Sequence, residues 1–121
     1  MKAITQILMV ALGLSLALLP VSIAHAGTPA VRQGDGTSHG GVVAAGNPTV
    51  LIGGMPAARV GDYVACPLIA PIPHVGGPIT TGSSTVLIGG VPAALTGSFV
   101  VESGGIPSTL IGGATTVLIG N

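Results

Sequence analysis

The chain has 121 residues, no formal net charge and only 5% charged side chains, so it lacks the basic patch and stacking aromatics that nucleic-acid binding needs. One Tyr, one Phe and no Trp leave little bulk for a core, and a domain of about 100 residues buries a marginal share of its surface. Such a chain needs a staple; its single cysteine, Cys66, excludes an intramolecular disulfide, which leaves a metal, a partner or both.

At the N-terminus, Lys2 precedes an uncharged run from Ile7 to Leu19, Pro20 breaks it, and Ala24-His25-Ala26 follows. A short positive region, an apolar stretch and a small-x-small site predict a secretory signal peptide over residues 1–26, cut after Ala26. Two alternatives stay open. One is a hydrophobic segment retained in a membrane, although spanning takes about 20 apolar residues and this run falls short unless extended past Pro20. The other is a misassigned start codon. His25 lies in this segment and belongs to no site.

Residues 27–121 form the second unit of organisation, and it is repetitive. GNPTVLIGG (Gly46 to Gly54) returns as GSSTVLIGG (Gly82 to Gly90) and as GATTVLIGN (Gly113 to Asn121). PAVRQGD (Pro29 to Asp35), PAARVGD (Pro56 to Asp62) and PAALTGS (Pro92 to Ser98) share a second template. Three copies of one unit follow one another, each a PA motif, a variable segment and a TVLIG motif. TVLI is β-branched and apolar, a short strand by propensity. The glycine pair after it suits a tight hairpin turn, and a second short strand runs through the PA motif. Proline there belongs at a strand start or edge. Gly46, Gly82 and Gly113 each stand four residues before a TVLI valine, which predicts a turn or bulge entering the strand. No helical periodicity follows residue 27. The expected fold is all-β: a small cone or prism of short β-hairpins with three internal repeats in pseudo-threefold arrangement. A closed three-sided surface of this kind would complement the end of a trimer.

Arg32 and Asp35 are spaced like Arg59 and Asp62, and in the third copy both change together, to Leu95 and Ser98. Paired Arg and Asp in two units and a neutral replacement in the third is the simplest reading; solvated charges on a surface loop are the alternative. Tyr63 and Phe99 occupy one repeat position and predict two equivalent packing sites.

The chemistry-bearing residues are His39, Cys66, His74 and Glu102. His39 precedes Gly40-Gly41, His74 stands just ahead of Val75-Gly76-Gly77, and Glu102-Ser103 precedes Gly104-Gly105. Matching repeat positions converge if the units surround an axis. Two His, a Cys thiolate and a carboxylate are a tetrahedral zinc set, with Ser103 or water as the substitute for Glu102. Such a metal would contribute directly to folding. Spacing alone is not decisive, since the chain has no C-x-x-C or H-x-x-x-H pair. An enzymatic reading has little support. Ser38 and His39 are adjacent, so on an extended segment they point to opposite faces rather than into one triad. No catalytic residue is assigned.

PAARVGD, the SHGG ahead of the first TVLI strand, the C-x7-HxGG from Cys66 to Gly77, and GSSTVLIGG with PAA after it resemble the PAAR-repeat proteins. The resemblance spans Gly27 to Asn121. It implies a small cone of short strands that sits on the trimeric VgrG-like spike protein of type VI secretion systems and related contractile tails, sharpening it for puncture of a target membrane. It also implies recruitment or carriage of effector proteins, and a structural Zn2+ held by three His and one Cys, to which His39, Cys66 and His74 carry over. This chain departs from the pattern in the third unit, with no His or Cys near Gly104 and PAAL at Pro92 to Leu95. With nothing after the third repeat, the expectation is a bare tip without its own effector domain. The alternative is a secreted or periplasmic metal-stabilised binding module unrelated to a spike. The expected location is secreted or periplasmic if residues 1–26 are cleaved, and otherwise cytoplasmic assembly followed by delivery to a target cell.

Overall fold

The computed structural model describes residues 27–69 and 72–120. The expected signal peptide or hydrophobic segment at residues 1–26 lies outside the described residues. Among the described residues no helix is long and apolar enough to cross a membrane.

The TVLI segments form strands for the reason their composition suggests, and the turn after them is set by glycine. Asn47–Ile52 (β3) pairs antiparallel with Met55–Ala57 (β4), with Ile52 opposite Met55. Between them Gly53 and Gly54 have φ of 59° and 82°, positive at both central positions of a two-residue turn. Leu87–Ile88 (β7) and Val91–Pro92 (β8) repeat this hairpin around Gly89 and Gly90. The third copy of the pairing joins the two ends of the repeat region: Thr28–Ala30 (β1) pairs with Ala114–Ile119 (β11), Thr28 opposite Ile119 and Ala30 opposite Ala114. The register shifts inside β3 and β11 pairings, between Asn47 and Leu51 and between Pro29 and Ala30, are the expected irregularities at the strand entrances. The second strand is shorter than the sequence predicts. It stops at Ala57, because Ala58 turns its backbone to a different partner.

That partner sits in a neighbouring unit. The Val31 N–H donates to the Ala94 carbonyl, Ala94 N–H to the Ala58 carbonyl, and Ala58 N–H to the Val31 carbonyl, at 2.9–3.0 Å. The three bonds form a closed ring between the three PA motifs. Val31, Ala58 and Ala94 are all fully buried at this ring.

The other hairpins are Tyr63–Cys66 (β5) with Val75–Pro78 (β6), and Phe99–Glu102 (β9) with Ile106–Thr109 (β10); a 3-10 turn, Ser103–Gly105, joins the latter pair. Val42–Val43 (β2) joins β5 as a third strand, and the first unit keeps only a short turn in place of its own hairpin. Cross-unit bridges link Ile79 to Val100 and Thr37 to Leu110.

Two buried clusters result. Ile52, Ile88 and Ile119 pack with Ala30, Ala57 and Ala93, and Val31, Val43, Val64, Ile79, Val100 and Leu110 pack with Ala58 and Ala94. Tyr63 and Phe99 are not packing residues as expected. Both are exposed, and Tyr63 donates its hydroxyl to the Val75 carbonyl.

The Arg–Asp expectation holds in part. Arg32 meets Asp35 at 3.0 Å and the Asp35 carboxylate holds its guanidinium above the usual range, but Arg59 Nε stands 3.9 Å from Asp62. What all three units share is a backbone contact. Asp35 and Asp62 accept the N–H of Arg32 and Arg59 at 2.7 and 2.8 Å, and Ser98 accepts that of Leu95 at 3.0 Å. The carboxylates are turn acceptors first and ion-pair partners second.

Candidate metal centre

Four residues from all three units converge at the tips of the second hairpin set. His39 is carried by a tight turn: the Thr37 hydroxyl accepts the N–H groups of His39 and Gly41, and the Thr37 N–H donates to the Gly41 carbonyl. Cys66 ends β5 and Glu102 ends β9. His74 precedes β6 and is clamped by its backbone, with its N–H on the Leu68 carbonyl and its carbonyl accepting from Ser103 of the third unit. The next residue, Val75, has φ 62°, which a β-branched side chain resists, and Gly76 N–H closes a three-residue turn onto the His74 carbonyl. Backbone strain is thus concentrated beside a candidate ligand.

The hydrogen-bond register corrects one expectation. Gly34, Gly61 and Gly97 donate to the carbonyls of Val43, Ile79 and Leu110, whose N–H groups donate back to Asp35, Asp62 and Ser98. Counted from those anchors, His39, Cys66 and Glu102 each stand four residues after Asp35, Asp62 and Ser98. These three are the repeat-equivalent set. His74 comes from the returning strand of the second unit, and its match to His39 through the flanking glycines is a coincidence of the shortened first turn.

The ligand-type atoms of the four side chains lie within 4.8 Å of one another. Glu102 Oε1 is 2.7 Å from His74 Nδ1 and 3.0 Å from His39 Nδ1, and the two Nδ1 atoms are 3.2 Å apart. Cys66 Sγ is 3.9 Å from His74 Nδ1. His74, Cys66 and Glu102 are buried, and His39 closes the outer side. Burial pushes the Glu102 carboxyl up, but hydrogen bonding, His39 first, outweighs it and holds the group below the ordinary carboxylate range.

The arrangement fits a cation better than it fits hydrogen bonds alone. If both imidazoles donate from Nδ1 to one carboxylate oxygen, two N–H groups crowd together with their nitrogens only 3.2 Å apart. A metal between them takes both nitrogen lone pairs and Oε1 together. Zinc bonds of about 2.0–2.3 Å place tetrahedral ligand atoms roughly 3.3–3.7 Å apart, and the distances here, 2.7–3.2 Å among the N and O atoms and 3.9 Å from Cys66 Sγ to His74, bracket that range. A thiolate and a carboxylate match a divalent charge, so the buried cluster would be neutral when filled. Glu102 Oε2 and His74 Nε2 are buried without partners, which shows that the hydrogen bonds of the cluster are incomplete. His39, Cys66, His74 and Glu102 can therefore hold a metal ion. Ser103, the substitute for Glu102 in the sequence reading, sits exposed in the turn beyond it.

A family model described as the PAAR motif matches residues 33–73 and again 69–121. The chain belongs to the PAAR-motif family. That family is associated with the tip of the type VI secretion spike and is in general non-enzymatic. No curated protein matches the chain in sequence. In this PAAR-motif chain the four candidate ligands named from the sequence lie together, but that three of them share one register was missed, although the count of four from GD or GS gives it. Also missed were Ser98 as a turn acceptor and Ser108 as a buried neighbour of the site.

Proposed function

We propose that this PAAR-motif chain is a structural tip that caps a trimeric VgrG-like spike of a type VI secretion or contractile injection apparatus, without catalysis of its own. The observation that carries the reading is the three-sided construction. Three PA motifs close one hydrogen-bond ring, and each TVLI strand presents one leucine outward: Leu51 and Leu87 are 59% exposed and Leu118 48%. Repeat-equivalent apolar side chains around a common ring complement a partner that is itself threefold. Zinc at His39, Cys66, His74 and Glu102 would stiffen the tips of the second hairpin set, since a structural zinc site adds directly to folding free energy. Effector delivery and membrane puncture follow from that placement.

Co-purification tests it. The chain is expected to bind a trimeric spike protein at one copy per trimer, and Leu51→Asp with Leu87→Asp to abolish binding while the metal is retained. No binding to any spike trimer overturns the reading. N-terminal sequencing of the native protein after fractionation decides the role of residues 1–26: a processed Gly27 start outside the cytoplasm, with indifference to spike trimers, favours the secreted binding module.

A further inference from the structure

Beside the metal cluster the third unit departs from the other two at two positions. Glu102 stands where the first and second units have His39 and Cys66. Two residues before Leu110 stands Ser108, where the residues two before Val43 and Ile79 are Gly41 and Gly77. At those glycines there is no room: a Cβ on Gly41 would lie 2.5 Å from the Ala65 carbonyl oxygen and one on Gly77 1.9 Å from that of Val101. Only the third unit admits a side chain here, and it places a hydroxyl.

Ser108 pairs with Val100 across the β9–β10 ladder, and Glu102 pairs with Ile106. Ser108 is therefore the diagonal neighbour of Glu102 on one sheet face, within reach of a long side chain. Val100, Glu102 and Ser108 are all buried. Among the described residues only four buried side-chain polar atoms lack a partner, and Ser108 Oγ and Glu102 Oε2 are two of them.

We propose that Ser108 is a positioning residue of the metal centre: its hydroxyl donates to Glu102 Oε2 and turns Oε1 toward the cation. The inference rests on the reading of the cluster as a metal site. A carboxylate ligand has two equivalent oxygens and a free terminal torsion, so it needs an outer partner to fix which oxygen faces the metal. An imidazole or thiolate ligand in the same register has no such second oxygen. Glycine therefore suffices in the other units, and serine accompanies the only carboxylate.

The test uses the purified full chain with Zn2+ and Co2+ as probes. Ser108→Ala and Ser108→Gly are the variants, the latter restoring the residue of the other two units and hence sterically safe. Zinc affinity measured by chelator competition is expected to fall about 10–100-fold in both, with a changed visible absorption of the cobalt-loaded protein, and Ser108→Thr to restore both. Wild-type zinc affinity and an unchanged cobalt spectrum in Ser108→Ala and Ser108→Gly, while Glu102→Gln loses metal, overturn the proposal alone. A wild-type chain that takes up neither ion overturns it together with the metal reading.

Discussion

Ser98 Oγ accepts the Leu95 N–H at 3.0 Å, in the place where Asp62 Oδ2 accepts the Arg59 N–H at 2.8 Å. A hydroxyl and a carboxylate do the same work because the turn asks only for an oxygen three residues on. The arginine is the dispensable partner. Ser98→Ala is expected to cost about 1 kcal/mol in urea-induced unfolding, leaving a buried N–H unsatisfied. Asp62→Ala should cost more than Arg59→Leu, since the first removes the acceptor and the second only a 3.9 Å ion-pair contact and a long 3.4 Å hydrogen bond from Nη1 to the Ile88 carbonyl.

The strained residue beside His74 gives a second expectation. Val75 adopts φ 62°, a region only glycine occupies freely. In an ordinary strand Val→Gly destabilises. Here Val75→Gly releases strain of roughly 1–3 kcal/mol, and its exposed side chain loses little packing. Thermal unfolding of the metal-loaded protein should show a melting temperature equal to or above wild type. A fall of several degrees would mean the valine is comfortable there.

Chelation should act on the fold rather than on a surface detail. If the cluster binds zinc, free ion at one hundred times Kd stabilises by about 2.7 kcal/mol, and EDTA removes that increment. Cys66→Ala is expected to abolish the EDTA response and to reproduce the chelated melting temperature in buffer alone. A melting curve indifferent to EDTA would be incompatible with a structural metal.

Close approach of backbones predicts the least tolerated substitution. A Cβ on Gly77 would lie 1.9 Å from the Val101 carbonyl oxygen, in a contact with no flexible side chain to yield. Gly77→Ala should cost about 3 kcal/mol or more, read as loss of soluble folded protein or a collapsed denaturation midpoint. Gly54→Ala is the comparison. Its Cβ would meet nothing, so its cost is limited to the positive φ of 82°.

Much of the molecule is written locally. TVLI followed by two glycines specifies a hairpin through β-branching and positive φ, both properties of single residues, and the first two copies form it around Gly53-Gly54 and Gly89-Gly90. The near-absence of aromatics leaves aliphatic side chains and alanines to fill the two buried clusters. His39, Cys66, His74 and Glu102 are legible as a donor set because they are nearly all the chain has. Register across units was not legible. Which residue of one copy faces which of another depends on the ring Val31–Ala94–Ala58 and on β1 pairing with β11, contacts between segments far apart in sequence. Those long-range hydrogen bonds decide that His39, Cys66 and Glu102 meet, while the β5–β6 and β9–β10 pairings bring His74 in on the returning strand and set Ser108 beside Glu102. Spacing along a chain carries no information about a partner strand until the strands have paired.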